Sequence, residues 1–208
     1  MTAINTIYSL QAEAFYPLQA LHIPNVQIHP PAHNASTFTP QYSTRLPILP
    51  ISYTDSLLTL PKLGILTPFL RVNTYDPSTG RLELEFDVDS ICNSKLHELQ
   101  ALCIQYLENH TEITQSKENT TIRFQNFMNT NLLTVFLSCS DTSTLKTNIY
   151  SPKLKNWRQL SSNDTFIKGQ QLRLAIRCQG LLCIPIQGGG IRFRLQHTVS
   201  AIYLHTTD

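Results

Sequence analysis

From Lys62 onward the chain alternates apolar and polar residues at period two, in short runs broken by Pro, Gly and Asn, and this pattern constrains the fold more than any other feature. Alternation puts the apolar side chains on one face of an extended segment, so each run reads as a half-buried strand. LGILTPFLRV gives a strand interrupted at Pro68, DPSTG closes a hairpin, and RLELEFDVDS returns with Leu82, Leu84, Phe86 and Val88 on one face. Its other face is Glu83, Glu85, Asp87 and Asp89. TIRFQNF, NLLTVFLSCS, TLKTNIY, KLKNWRQL, QLRLAIRCQ, LLCIPIQ and IRFRLQHTVSAIYL continue the series, with KGQ and QGGG as turns.

One segment breaks the period. In NSKLHELQALCIQYLENH, Leu96, Leu99, Leu102, Cys103, Tyr106 and Leu107 recur three and four residues apart, which predicts a helix over 94–110 with Ser94 as its N-cap. Short strands around a single helix predict a mainly β fold, an OB-like small barrel of antiparallel strands, rather than a βαβ fold.

Residues 1–61 differ. Eight of the twelve prolines lie there, and Glu13, Arg45 and Asp55 are the only charged side chains. Repeated Pro disfavours both helix and central strand, so this stretch is expected to be an extended arm preceding an OB-like domain at 62–208. Its apolar residues, among them Ile48, Leu49, Ile51 and Tyr53, are too many for an inert linker. The arm is therefore expected to pack on the domain, on a second subunit through self-association, or on a partner.

The net charge of +2 conceals a strong asymmetry. Up to Asp141 there are 7 basic and 12 acidic residues; from Thr142 to Thr207 there are 9 basic residues and one acid, Asp164. A basic final third is the footprint of a polyanion binder, and a surface facing an acidic protein would carry the same sign. Five cysteines without a CxxC read as reduced thiols of an intracellular protein. The N-terminus lacks the pattern of a secretory signal, and no run reaches the roughly 18–20 apolar residues of a membrane span.

Alternation converts the basic residues into a candidate surface. In QLRLAIRC, Arg173 and Arg177 point away from the core; in IRFRLQH, Arg192 and Arg194 do so with Gln196. If those strands are neighbours, the four guanidinium groups share one surface. Lys153, Lys155 and Trp157 fall on one side of KLKNW if it is extended, and Lys168 lies in the KGQ turn. Cations that track phosphates beside an aromatic face that stacks a base are what single-stranded nucleic acid requires. Glycines at QGGG would allow close backbone approach.

Each of these features also has a plain structural reading. An outward arginine taken singly is more often solvated or ion-paired, and a lone tryptophan is more often a core or rim residue. Asp87 and Asp89 share a face, as a metal-binding pair would, but they continue an acidic outer stripe. Cys178, Cys183, His197 and His205 have poor spacing for zinc. No nucleophile-and-base signature is present, so an enzyme is not expected, and no cofactor is implied.

The ordered series LTPFLRV, LELEFDVD, LHELQALCIQYL, TLKTNIYSPKLKNW, the KGQQLRLAIRCQGL run and GGGIRFRLQHTVSAIYL resembles the single-stranded DNA-binding proteins of large double-stranded DNA viruses and their virophage and polinton-like relatives. That resemblance implies an OB-like barrel and a role in viral DNA replication, recombination or repair, in the nucleus or at a cytoplasmic replication site of a host cell. It also implies a groove along the strands of Arg173, Arg177, Arg192 and Arg194, flanked by Lys153, Lys155 and Trp157. The sequence departs from the family in having Leu181–Ile184 and Phe193 where tryptophans are usual. A single jelly-roll capsid protein and an adaptor for an acidic partner remain the alternatives.

Overall fold

The computed structural model describes residues 15–33, 46–110, 122–137, 147–153, 155–187 and 190–205. Its strands, in chain order, are β1 (Tyr16–Pro17), β2 (Val26–Ile28), β3 (Ala32–His33), β4 (Pro47–Thr54), β5 (Thr59–Leu60), β6 (Leu63–Leu66), β7 (Leu70–Asp76) and β8 (Arg81–Glu85). Helix α1 (Ile91–Asn109) follows, then β9 (Ile122–Gln125), β10 (Met128–Asn129), β11 (Leu132–Phe136), β12 (Asn148–Ser151), β13 (Asn156–Gln159), β14 (Gln171–Ile186) and β15 (Gly190–Leu204). The protein is mainly β with one α-helix among the described residues, as the alternation predicts.

The main path of the sheet runs β10-β11-β8-β7-β14-β15-β12-β13. Its terminal strands do not pair, so the sheet is open. It nonetheless curls. The β7-β8-β11 meander leaves one edge of β14 and returns towards β15, where the Phe136 N–H donates to His197 Nε2 at 3.3 Å. The main core lies inside the curl, built from Leu82, Leu84, Leu133, Val135, Leu172, Leu174, Phe193 and Leu195 under the helix residues Leu96, Leu99 and Cys103.

QLRLAIRCQ and LLCIPIQ are one strand, not two. β14 is sixteen residues long and pairs along its whole length with β15. Two bulges interrupt the ladder. Gln179 is an extra residue on β14 between Cys178 and Gly180, and Ser200 is an extra residue on β15 between Val199 and Ala201. At Gln179 the other neighbour of β14 changes from β6 to β4. Gly180 is needed there: at φ +150°, with Pro50 opposite, any Cβ would run into the Leu49 carbonyl.

The proline-rich segment contributes to the body of the fold, against the expectation that proline would keep it from a central strand. β4 carries Pro47 and Pro50, yet it joins β14 and β5 along one edge and β2 and β3 along the other. The pairings are short and staggered, three residues against β14, so few of its N–H groups are called on at once. Leu18, Leu21, Leu49, Ile51 and Tyr53 are buried in the same core as the residues after Lys62.

The helix begins earlier than the sequence predicts. Ser90, not Ser94, is the N-cap, its Oγ accepting the Cys92 N–H at 3.2 Å. β8 stops at Glu85, and the chain turns at Asp87, whose carbonyl accepts the Ser90 N–H. Alternation therefore fails at Val88, which is exposed. Buried Gln100 ties the helix to β10, its Oε1 accepting the N–H groups of Phe127 and Met128 at 3.0 and 3.1 Å.

Candidate nucleic-acid interface

β14 and β15 are neighbours, as the candidate surface requires. The register places Arg173 opposite Tyr203, Arg177 opposite Thr198, Arg194 opposite Leu182 and Arg192 opposite Ile184. All four arginines lie on the side of the hairpin that faces away from the main core. They form two groups rather than one cluster, because Arg173 and the pairing partner of Arg192 are separated by about 30 Å of strand. All four are half-buried.

Within each group the arginines have apolar neighbours on the same side. Ala175 and Ala201 pack with Leu66 and Phe15, and the Arg177 guanidinium lies 5.3 Å from the centre of the Phe15 ring. Leu182 and Ile184 pack under Leu46. Phe15 thus packs beside the first group and Leu46 beside the second.

At the Arg173 end, strand pairing builds an aromatic row. Arg173 is opposite Tyr203, Tyr203 is beside Tyr150 of β12, and Tyr150 is opposite Trp157 of β13. Ring centroids are 5.0 Å apart for Tyr150–Trp157, 6.0 Å for Tyr150–Tyr203 and 5.2 Å for Trp157–Tyr203, with the last pair edge-on. The Arg173 guanidinium lies over Phe69 at 4.7 Å, and Phe69 meets His205 edge-on. Arg173 Nε and Tyr203 Oη are covered and have no hydrogen-bond partner among the described residues. Burial pulls the Arg173 guanidinium below its usual range, opposed by Tyr203, and pushes the Tyr203 phenol up.

The lysines reach this end by another route than alternation. Lys153 and Lys155 are not on one face of an extended segment: they sit in the β12–β13 turn, where the Lys155 N–H donates to Pro152 O and Lys155 has φ +50°. Both are exposed, while Trp157 beyond them is half-buried in the aromatic row. Lys168 is exposed in the Ile167–Gln170 turn that leads into β14, five residues before Arg173.

At the far end β15 gains a parallel neighbour. Arg192 pairs with Arg123 and Arg194 with Gln125 of β9, so an exposed third cation joins this group. Arg192 Nε is covered without a hydrogen-bond partner, and neither Arg173 nor Arg192 forms an ion pair among the described residues. The ion pairs between described residues are those of Arg71 with Glu85 and Asp87, Arg81 with Glu83, and Arg158 with Asp164. The acidic stripe of β8 is therefore a solvated, partly paired face. Cys178 and Cys183 are buried free thiols. Of QGGG, Gly188 and Gly189 lie outside the described residues, and Gly190 pairs with Ile186.

Sequence reasoning missed Tyr203, Tyr150, Phe69 and Arg123. Alternation counted forward from Phe193 assigns Tyr203 to the core face; the Ser200 bulge moves it to the arginine side. Arg123 and Tyr150 enter through parallel pairings with β15, for which a single sequence carries no signal.

No protein-family model, curated protein or solved structure matches the chain. No helix among the described residues is long and apolar enough to cross a membrane.

Proposed function

We propose that the protein binds single-stranded DNA without strong sequence preference and without catalysis, in support of replication, recombination or repair of the viral kind. The observation that carries this reading is the single side of the β14–β15 hairpin that holds Arg173, Arg177, Arg192 and Arg194 and is continued at one end by the Tyr203–Tyr150–Trp157 row. Guanidinium groups contact phosphates, exposed Lys153, Lys155 and Lys168 add to the field, and the aromatic row offers ring faces and edges to bases. Arg173 and Arg192 form no ion pair among the described residues, which leaves their charge for phosphates.

The jelly-roll alternative fits the fold less well. A jelly roll is built from two antiparallel sheets, whereas β15 takes β9 and β12 as parallel neighbours and the main core is closed by a helix. The adaptor alternative predicts no oligonucleotide binding. Fluorescence-anisotropy titration with oligo-dT and a matching duplex at two salt concentrations decides the matter. Preference for the single strand and affinity falling steeply with salt are expected; equal or absent binding refutes the proposal.

A further inference from the structure

The outer edge of β15 is only partly paired. β9 covers Ile191–Arg194 and β12 covers Ala201–Tyr203, so Leu195–Ser200 has no strand on that edge among the described residues. Two side-chain bonds bridge the gap: the Phe136 N–H to His197 Nε2, and Thr147 Oγ1 donating to Val199 O. Beside the first of these opens a cavity of about 150 Å³. A cavity of that volume holds one benzene-sized ring.

Its lining is specific in kind. Gln125, Asn126 and Gln196 bring side-chain amides, Thr134 a hydroxyl, Phe136 an aromatic ring and Arg194 the positive charge, with no carboxylate in the wall among the described residues. Gln125 and Asn126 are exposed at the mouth, and Phe136 is 42% exposed, high for a phenylalanine. His197 supplies structure, not charge: burial pushes its pKa down to about 4, so its imidazole stays neutral and accepts the Phe136 N–H. Amides that both donate and accept match the alternating carbonyl and N–H edge of a pyrimidine, and a phenylalanine ring matches its face. Arg194 Nη2 lies 3.5 Å from Gln196 Oε1, so the cation and an amide adjoin at the wall.

We propose that this cavity is a pocket for one unpaired pyrimidine base, with Phe136 as its stacking surface and Gln125 and Gln196 reading its edge. The proposal rests on the single-strand reading, because Arg194 places the pocket at the end of the arginine side. It adds one local base preference to a surface that otherwise follows the backbone.

The test uses dodecamers of dT, of dA and of abasic sites, titrated by anisotropy against the wild type, Phe136→Ala and Gln196→Leu. The abasic strand keeps every phosphate and removes every base. The wild type should bind dT about fivefold or more tighter than dA, and both variants should lose that margin on dT while binding the abasic strand as before. Gln196→Leu retains side-chain bulk, so its result stands if Phe136→Ala disturbs β11. Equal losses on dT and dA, a dT preference that both variants retain, or no preference in the wild type overturns the pocket and leaves the arginine surface standing. Failure of all three strands to bind removes the single-strand reading and the pocket with it.

Discussion

Replacing Arg173 and Arg192 by alanine, singly and together, tests whether the two ends of the hairpin belong to one binding path. On single strands each phosphate contact contributes about −0.7 to the slope of log K against log salt. Lowering salt from 1 M to 0.1 M therefore strengthens binding by about fivefold per contact, near 1 kcal/mol. The two residues are separated by about 30 Å of strand, well past the range of about 7–10 Å in which substitutions couple. The double variant should thus lose about 25-fold at 0.1 M, the product of its parents, and flatten the slope by about 1.4. Anisotropy titrations of oligo-dT at four or more salt concentrations read both quantities. Arg173→Ala also removes the guanidinium from Phe69, which costs about 0.5–1 kcal/mol, so thermal melts must accompany the binding data. Arg81→Ala is the control: that side chain is held by Glu83 at 2.6 Å on the β7–β8 side and should leave the slope unchanged. A folded double variant with the wild-type slope refutes the argument. A flattening confined to one parent shows that only one end carries DNA.

Other outcomes follow from the fold. Gly180→Ala should cost about 3 kcal/mol and lower Tm by about 6–12 °C, because the added methyl group meets the Leu49 carbonyl at φ +150°; an unchanged Tm would show that β4 does not press on β14. His197, depressed to about 4 when folded and near 6.5 when unfolded, binds its proton more readily in the unfolded chain across that window. Stability should therefore be complete above about pH 6.5 and fall as pH drops towards 4; urea melts of His197→Phe should lose that part of the dependence, and an identical pH profile would refute the assignment. Burial pushes the Cys103 and Cys178 thiols up to about 12, so neither should react with a disulfide reagent at pH 8 until the protein unfolds; prompt labelling of the native state would contradict their burial.

The β runs and the single helix follow from local pattern, whereas the adjacency of the arginine strands is supplied by the fold. Leu82, Leu84 and Phe86 are buried where alternation places them, and Pro68 separates β6 from β7. What local pattern misses is long-range or cumulative. One extra residue at Ser200 reverses every later assignment of side, which hides Tyr203. The partners of β15, from β9 and β12, are fixed by packing between segments some fifty residues or more apart. Lys153 and Lys155 sit in a turn, with Lys155 in the left-handed region, that no apolar period marks. Pro47 and Pro50 were strong local signals against a strand, and β4 forms because its pairings are short and its side chains Leu49 and Ile51 fill the core.

The bulge at Gln179 acts on side-chain orientation as an inserted nucleotide acts on a reading frame. Were Gln179 forced into the ladder as an ordinary member, strict alternation would swing Leu182 and Ile184 into the interior and send Leu181 and Cys183 towards solvent. The bulge takes up the odd residue, so the second half of β14 keeps its apolar positions in phase with Leu195 and Phe193 across the ladder.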